Sequence, residues 1–223
     1  MTTNPATPSG HEARSVKTRS HLIEAAITVI GVVGYEGAST RALAKAAKTP
    51  LSAIPYHFGG KRELYLAAAQ MIANYAACRF EEAVAILETA EAAEKAIRFE
   101  EALINILHII LKDAEPHSWT SFIARCAYDN DEAFALIYDR AIAQLLERLV
   151  QAASDVSGRS LGDEALRLRI SAILTAVISF RFLRGIMLHS MEWSQIQDDS
   201  IDQIEGMVRE LCRSDFLAIQ TPQ

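Results

Sequence analysis

Residues 39–65 read STRALAKAAKTPLSAIPYHFGGKRELY. The spacing predicts two short helices joined by a tight turn, followed by the start of a longer helix. Leu43, Ala44 and Ala47 share one face of a first segment running from Thr40 to about Ala47. Lys48-Thr49-Pro50 ends it, because proline cannot continue a helix and drives the residue before it to extended geometry. A second segment runs from about Leu51 to Phe58, with Leu51, Ile54 and Phe58 directed inward and Ser52, Ala53, Tyr56 and His57 on the opposite face. Pro55 requires this helix to start near Ser52, where the missing N–H would be an unpaired one in any case. Gly59-Gly60 closes it, since glycine takes the left-handed C-terminal cap at little cost. Two helices so connected fit a helix-turn-helix, whose second helix enters the DNA major groove.

Lys61 breaks a local rule. It opens the next helix, where the helix dipole disfavours a cation, and rule-breaking positions tend to be functional. A lysine beside free helix amides is well placed to hold a DNA phosphate; the alternative for Lys61 taken alone is a solvated surface lysine. The expected DNA contacts are therefore Thr40 and Lys61 to phosphates, with Arg41, Ser52, Ala53, Tyr56 and His57 facing the groove and Leu51 at its edge.

Upstream, Leu22, Ala25, Ala26, Val29, Ile30 and Val33 form an amphipathic stripe on a helix from about Ser15, capped by Gly34. It would pack across the pair and complete a three-helix unit over residues 14–60. Residues 1–13 are nearly without apolar side chains and read as a flexible tail. Arg14, Lys17 and Arg19 either brush the DNA backbone or are simply solvated. The overall net charge is −6, but residues 1–65 hold eight Lys/Arg against four Glu, so this part carries +4 and the remainder −10. A basic reader on an acidic body matches that division.

The motif Tyr56-His57-Phe58-Gly59-Gly60-Lys61, followed by Leu64-Tyr65 and preceded by Gly34-Tyr35-Glu36-Gly37-Ala38-Ser39-Thr40-Arg41, resembles the DNA-binding signature of TetR-type regulators. The wording Ala-Ile-Pro-Tyr-His-Phe-Gly-Gly-Lys is closer to the CerR/CecR-like subset. The resemblance covers residues 17–66, with shorter similarities at Arg125, residues 134–138 and Phe182 to Trp193. Lys48-Thr49-Pro50 departs from the family's usual Gly-Val-Ser type turn, so the usual serine cap is missing. The resemblance implies a ligand-responsive DNA-binding regulator, usually a repressor released from its operator by a small effector, and not an enzyme. The alternative is a helical ligand-binding protein or enzyme without a DNA role, which would have no use for the basic helix pair.

Residues 61–223 read as a helical ligand-binding and dimerisation domain, so the fold expected is all-α. Helices are predicted from Lys61 to about Thr89, then over about Lys95–Asp113, Ser118–Tyr128, Asp131–Ala153, Asp163–His189 and Ser200–Leu217, with a connection near Ala90–Glu94. His108, Trp119, Phe122, Arg125 and Phe180 are the mixture expected around a mostly apolar pocket with a few orienting polar groups, Arg125 serving as counter-charge; the competing reading places all five in the core. A single reader covers too few bases, so a homodimer on a palindromic operator in double-stranded DNA is expected, with Ile173, Val177, Ile204, Val208 and Leu211 at its interface.

No catalytic motif such as HExxH or GxSxG occurs, the six histidines have no close ligand spacing, and no metal or cofactor is expected. Cys78, Cys126 and Cys212 are scattered and read as reduced core thiols of a cytoplasmic protein. The longest apolar run, Ile170 to Phe180, is too short for a membrane span, which needs roughly 20 residues.

Overall fold

A computed structural model describes residues 10–88, 94–112 and 116–216. Among these residues all regular structure is helical: α1 Gly10–Gly37, α2 Thr40–Ala46, α3 Ala53–Phe58, α4 Lys61–Val84, α5 Lys95–Lys112, α6 His117–Asp129, α7 Glu132–Ile137, α8 Ala143–Ser157, α9 Glu164–Phe182, α10 Arg184–Ser190 and α11 Asp198–Phe216. The expected ends at Thr89, Asp113 and Leu217, and most of the tail and of the 90–94 connection, lie outside the described residues.

The chain divides into two compact units. One takes the chain up to Ile72 together with Pro116–Ile137, the other Ala73–Glu115 and Tyr138 onward. A boundary at residue 60 does not coincide with this division, because the first turns of α4 group with the N-terminal helices, as do α6, which packs on α1, and α7, which packs on α6.

In the first unit, α1 crosses α2 and α3 and runs along α6. Leu22, Ala26, Ile27 and Ile30 are buried on α1, Leu43 and Ala44 on α2, Ile54 on α3, Leu64, Ala68 and Ile72 on α4, and Phe122 and Cys126 on α6. Ile27 takes the core position that the stripe assigned to Val33, which is 48% exposed. α1 already starts at Gly10, earlier than Ser15, and is broken at Gly34, whose φ of 75° only glycine adopts without strain. The approach of α6 to α1 depends on Gly31. A Cβ there would lie 2.9 Å from the Ser118 carbonyl oxygen and 3.1 Å from the Phe122 amide nitrogen. That contact lets Phe122 reach full burial, worth about 1.5–3 kcal/mol.

The second unit has α5 and α8 at its centre, each contacting the other as well as α9 and α11. α5 buries Phe99, Leu103, Ile106 and Leu107, and α8 buries Leu145, Leu149, Val150 and Ala153, each at helical spacing. α9 adds Ile170, Ile173, Leu174 and Val177 to the same core. Two predicted continuous helices are interrupted. Between α7 and α8 the residues Tyr138–Ile142 form a π-helical turn, and the Arg140 guanidinium donates from Nε to the Asn74 side-chain oxygen at 3.3 Å. Between α9 and α10 the axis bends by 80° at Leu183. No proline marks either break, and apolar residues continue on both sides, so the hydrophobic pattern carried no sign of them. Among the described residues no single helix is long and apolar enough to cross a membrane.

Candidate nucleic-acid interface

α2 opens on a capped first turn: Ser39 accepts a hydrogen bond from the Ala42 amide at 3.1 Å. Thr40 and Arg41 are exposed beside it. The turn after α2 is a Schellman motif. The Thr49 amide bonds the Ala44 carbonyl at 3.0 Å and the Lys48 amide bonds that of Lys45 at 3.1 Å, with Lys48 at φ 54° in the position glycine normally fills. Lys48-Thr49-Pro50 therefore completes the turn, but with a residue that is strained there.

α3 begins at Ala53, without a side-chain cap from Ser52. Pro55 is its third residue, so the proline nitrogen falls among the amides that lack an intrahelical partner. The outward face carries Ser52, Pro55 and Tyr56, the last 75% exposed, with Leu51 exposed at the edge. Ala53 does not face outward as expected: it is buried with Ile54, because the late helix start rotates it toward α1 and α2. His57 is half-buried, its ring edge-on to Tyr56 at 4.8 Å. Pro55 was missed as a surface residue, although the i, i+3, i+4 spacing of Ser52, Pro55 and Tyr56 points to it.

Arg19 has a positioning role. Its Nη1 donates to the His57 carbonyl at 2.7 Å, and its guanidinium lies 4.2 Å from the centre of the Phe58 ring. It neutralises a carbonyl at the C-terminal end of α3 and holds the last turn of that helix against α1. Lys61 places its ammonium 4.1 Å from the Tyr35 ring centre. Tyr35 packs against Tyr65 at 4.7 Å, and Tyr65 against Phe122 at 5.2 Å, with their rings tilted, so a chain of aromatic contacts runs from the lysine to α6. A cation fixed on an aromatic face keeps its N–H donors available for an anion.

The residues predicted around a ligand each have a local structural partner or place. Phe122 is fully buried under Tyr65. Arg125 is exposed on α6, and its Nη2 donates to the Val32 carbonyl at 2.9 Å, tying α6 to α1. Trp119 is half-buried on the same helix. These three belong to the first unit, whereas His108 and Phe180 belong to the second. His108 pairs with Glu205 of α11, and Phe180 packs against the core of its unit.

Four of the five predicted interface residues are corrected by burial. Ile173, Val177, Ile204 and Val208 are between 1% and 7% exposed and form part of their own unit's core. α9 is apolar on more than one face, whereas α11 carries one narrow apolar seam, and on both helices the residues read as outward are the inward ones. Among the described residues, the large apolar side chains that stay exposed on these two helices are Leu168 on α9 and Met207 and Leu211 on α11.

A three-helix basic reader with an exposed second helix defines a helix-turn-helix DNA-binding protein. The family described as "Bacterial regulatory proteins, tetR family" matches residues 22–68, and the "HTH-type transcriptional dual regulator CecR, C-terminal domain" matches residues 96–219. The chain belongs to the TetR-type transcriptional regulators, in the CecR-like subset. It is 28% identical over 221 residues to the HTH-type transcriptional dual regulator CecR of Shigella flexneri, covering 96% of this chain and 95% of that one. It is also 31% identical over 108 residues to the transcriptional repressor AcnR of Corynebacterium efficiens, covering 48% of each. Among solved structures, a TetR-like regulator from Rhodococcus sp. RHA1 superposes with a TM-score of 0.61 at 18% identity, covering 90% of this chain and 96% of that one. AibR, solved with isovaleryl coenzyme A and operator DNA, superposes at 0.57 and 19% identity, covering 86% and 96%. At these identities the two structures establish the fold.

Proposed function

We propose that this regulator is a cytoplasmic repressor that binds a palindromic operator as a homodimer and leaves it when a small, largely hydrophobic effector binds. The observation that carries the DNA reading is the exposed Ser52–Pro55–Tyr56 face of α3, clamped by Arg19 and flanked by Lys61 on its Tyr35 platform. Thr40 and Lys61 contact phosphates. Arg41, Ser52, Tyr56 and His57 face the groove with Leu51 at its edge, and the ring of Pro55 joins Tyr56 in apolar contact with thymine methyls. The first unit is the reader. The second carries the effector and the dimer interface, the latter through Leu168, Met207 and Leu211.

The similarity to AcnR, a transcriptional repressor, supports repression. The AibR complex, with isovaleryl coenzyme A and operator DNA on one fold of this kind, supports an operator and a small effector. The effector acts only through a difference in affinity between DNA-bound and free states, and a coupling of about 1–3 kcal/mol changes operator affinity roughly 5- to 150-fold. The test is titration of the DNA upstream of its own gene at several salt concentrations. Lys61→Ala should weaken binding to all sequences alike and lower the magnitude of the salt slope by about 1. An unchanged slope removes Lys61 from the phosphate contacts.

A further inference from the structure

α11 carries Glu205, Arg209 and Arg213 four residues apart, so they share one helical face. α5 sets Glu100 and His108 opposite them. Glu100 accepts from Arg209 Nη1 at 2.6 Å and from Arg213 Nε and Nη2 at 3.0 and 3.1 Å, while Glu205 meets His108 and stands 4.0 Å from Arg209 Nη2. Burial works to raise the Glu100 carboxyl, but the hydrogen bonds from Arg213 and Arg209 hold it below the ordinary carboxylate value of 4.5. The ladder clasps α11 to α5.

At its Arg213 end the ladder opens into a pocket of about 330 Å³ between α5, α8 and α11. Ile97, Phe99, Val156 and Cys212 contribute apolar lining, and the charged groups that line it are Glu100, Arg209 and Arg213. Among the described residues that line the pocket, one largely buried carboxylate faces two guanidiniums, and Glu205 stands behind Arg209 at 4.0 Å, so the outer guanidinium, Arg213, is the cation least offset by carboxylates. Each guanidinium has five N–H donors, and Glu100 takes one from Arg209 and two from Arg213. The Arg213 side chain is 63% exposed and the Arg209 side chain 36%, against 12% for Glu100, so the unused donors are reachable from solvent.

We infer that this pocket binds a monocarboxylate with an apolar tail, its carboxylate on the free donors of Arg213 and Arg209 and its tail against Ile97, Phe99 and Val156. A monoanion suits a site in which Glu100 and Glu205 offset much of the arginine charge, whereas a dianion such as a phosphate monoester is opposed more strongly by the Glu100 carboxylate beside it. Arginine forks suit the planar carboxylate geometry. The volume lies at the small end of ligand pockets, about 300–1,000 Å³, which selects compact acids. The incoming carboxylate competes with Glu100 for Arg213 and loosens the α5–α11 clasp, which gives the ligand different affinities for the clasped and loosened arrangements. This last step rests on the effector reading given above; the site itself does not.

The test is calorimetric titration of the full-length protein with octanoate and with 3-phenylpropionate, using octanamide as the uncharged control. Saturable binding of either acid, at least tenfold weaker for octanamide, is expected. Arg213→Gln should weaken the acid at least tenfold while leaving helix content intact, since the residue is largely exposed. Ile97→Gln, at a position 60% exposed, leaves the ladder and the charge of the site in place and should weaken it through the wall alone. Failure of both acids to saturate, or wild-type affinity in Arg213→Gln, overturns the site. Binding of the acid with no change in affinity for the upstream DNA upholds the site and overturns its role as the effector pocket.

Discussion

The Tyr65 hydroxyl on α4 donates a 2.6 Å hydrogen bond to one carboxylate oxygen of Asp131, in the turn between α6 and α7. The other oxygen of Asp131 accepts from the amides of Ala133 and Phe134, both at 3.0 Å, and so caps α7. Tyr65 is 3% exposed, and burial, with the bond to Asp131 adding to it, pushes its phenol far above the ordinary range, so it keeps the proton it donates to Asp131. One carboxylate thus fixes α7 to the helix that follows the reader. Tyr65→Phe should cost about 1.5–3 kcal/mol, the value of a hydrogen bond to a charged group, and Asp131→Ala more, because the cap goes too. Chemical denaturation of the two single variants and the double variant measures this; a double-mutant coupling near zero would disprove the linkage.

Lys48 holds a left-handed conformation in the turn between α2 and α3. Such a conformation costs a non-glycine residue roughly 1–2 kcal/mol. Lys48→Gly should therefore stabilise the protein by about 1 kcal/mol after allowance for the greater freedom of glycine in the unfolded chain. A raised denaturation midpoint at an unchanged denaturant slope is the expected result.

Burial separates two neighbours on α11. Val208 is 1% exposed and Met207 40%. Val208→Asp places an unpaired charge in the core of the second unit, and loss of folding is expected rather than a folded monomer. Met207→Glu should leave the fold intact and shift the oligomeric state to monomer, with weaker operator binding. Sedimentation together with circular dichroism distinguishes the two outcomes. A folded, dimeric Met207→Glu protein removes this face from the interface.

The three thiols should react unequally. Cys126 is fully buried, and burial, followed by the nearby charge of Asp131, pushes its thiol up to about 12. Cys212 is buried as well, but Cys78 is exposed on α4, contrary to the expectation that all three are core thiols. A disulfide reagent at pH 8 should modify one thiol rapidly and the others only on unfolding, and Cys78→Ser should abolish the rapid phase.

The helix-turn-helix could be read from residues 39–65 because every cue in it is local. Helical spacing, a proline, a glycine pair and a lysine at a helix start act within a few residues, and chain geometry converts them directly into two helices and a turn. The all-α class and the basic reader followed from the same kind of short-range pattern. The sequence could not say whether an apolar stripe covers the chain's own core or a partner. Ile173, Val177, Ile204 and Val208 turned inward because α5 and α8 supply the surface they pack against, and no periodicity names a neighbour. Nor could it give Arg125 its partner, a backbone carbonyl 93 residues earlier, or His108 its partner, a carboxylate 97 residues later. The sequence alone determined most of the local elements, whose energetics close within a turn or two of chain, but not the breaks at Tyr138–Ile142 and Leu183. Tertiary structure decided which side chains are free to act, because burial and pairing depend on segments that meet only after the chain has folded.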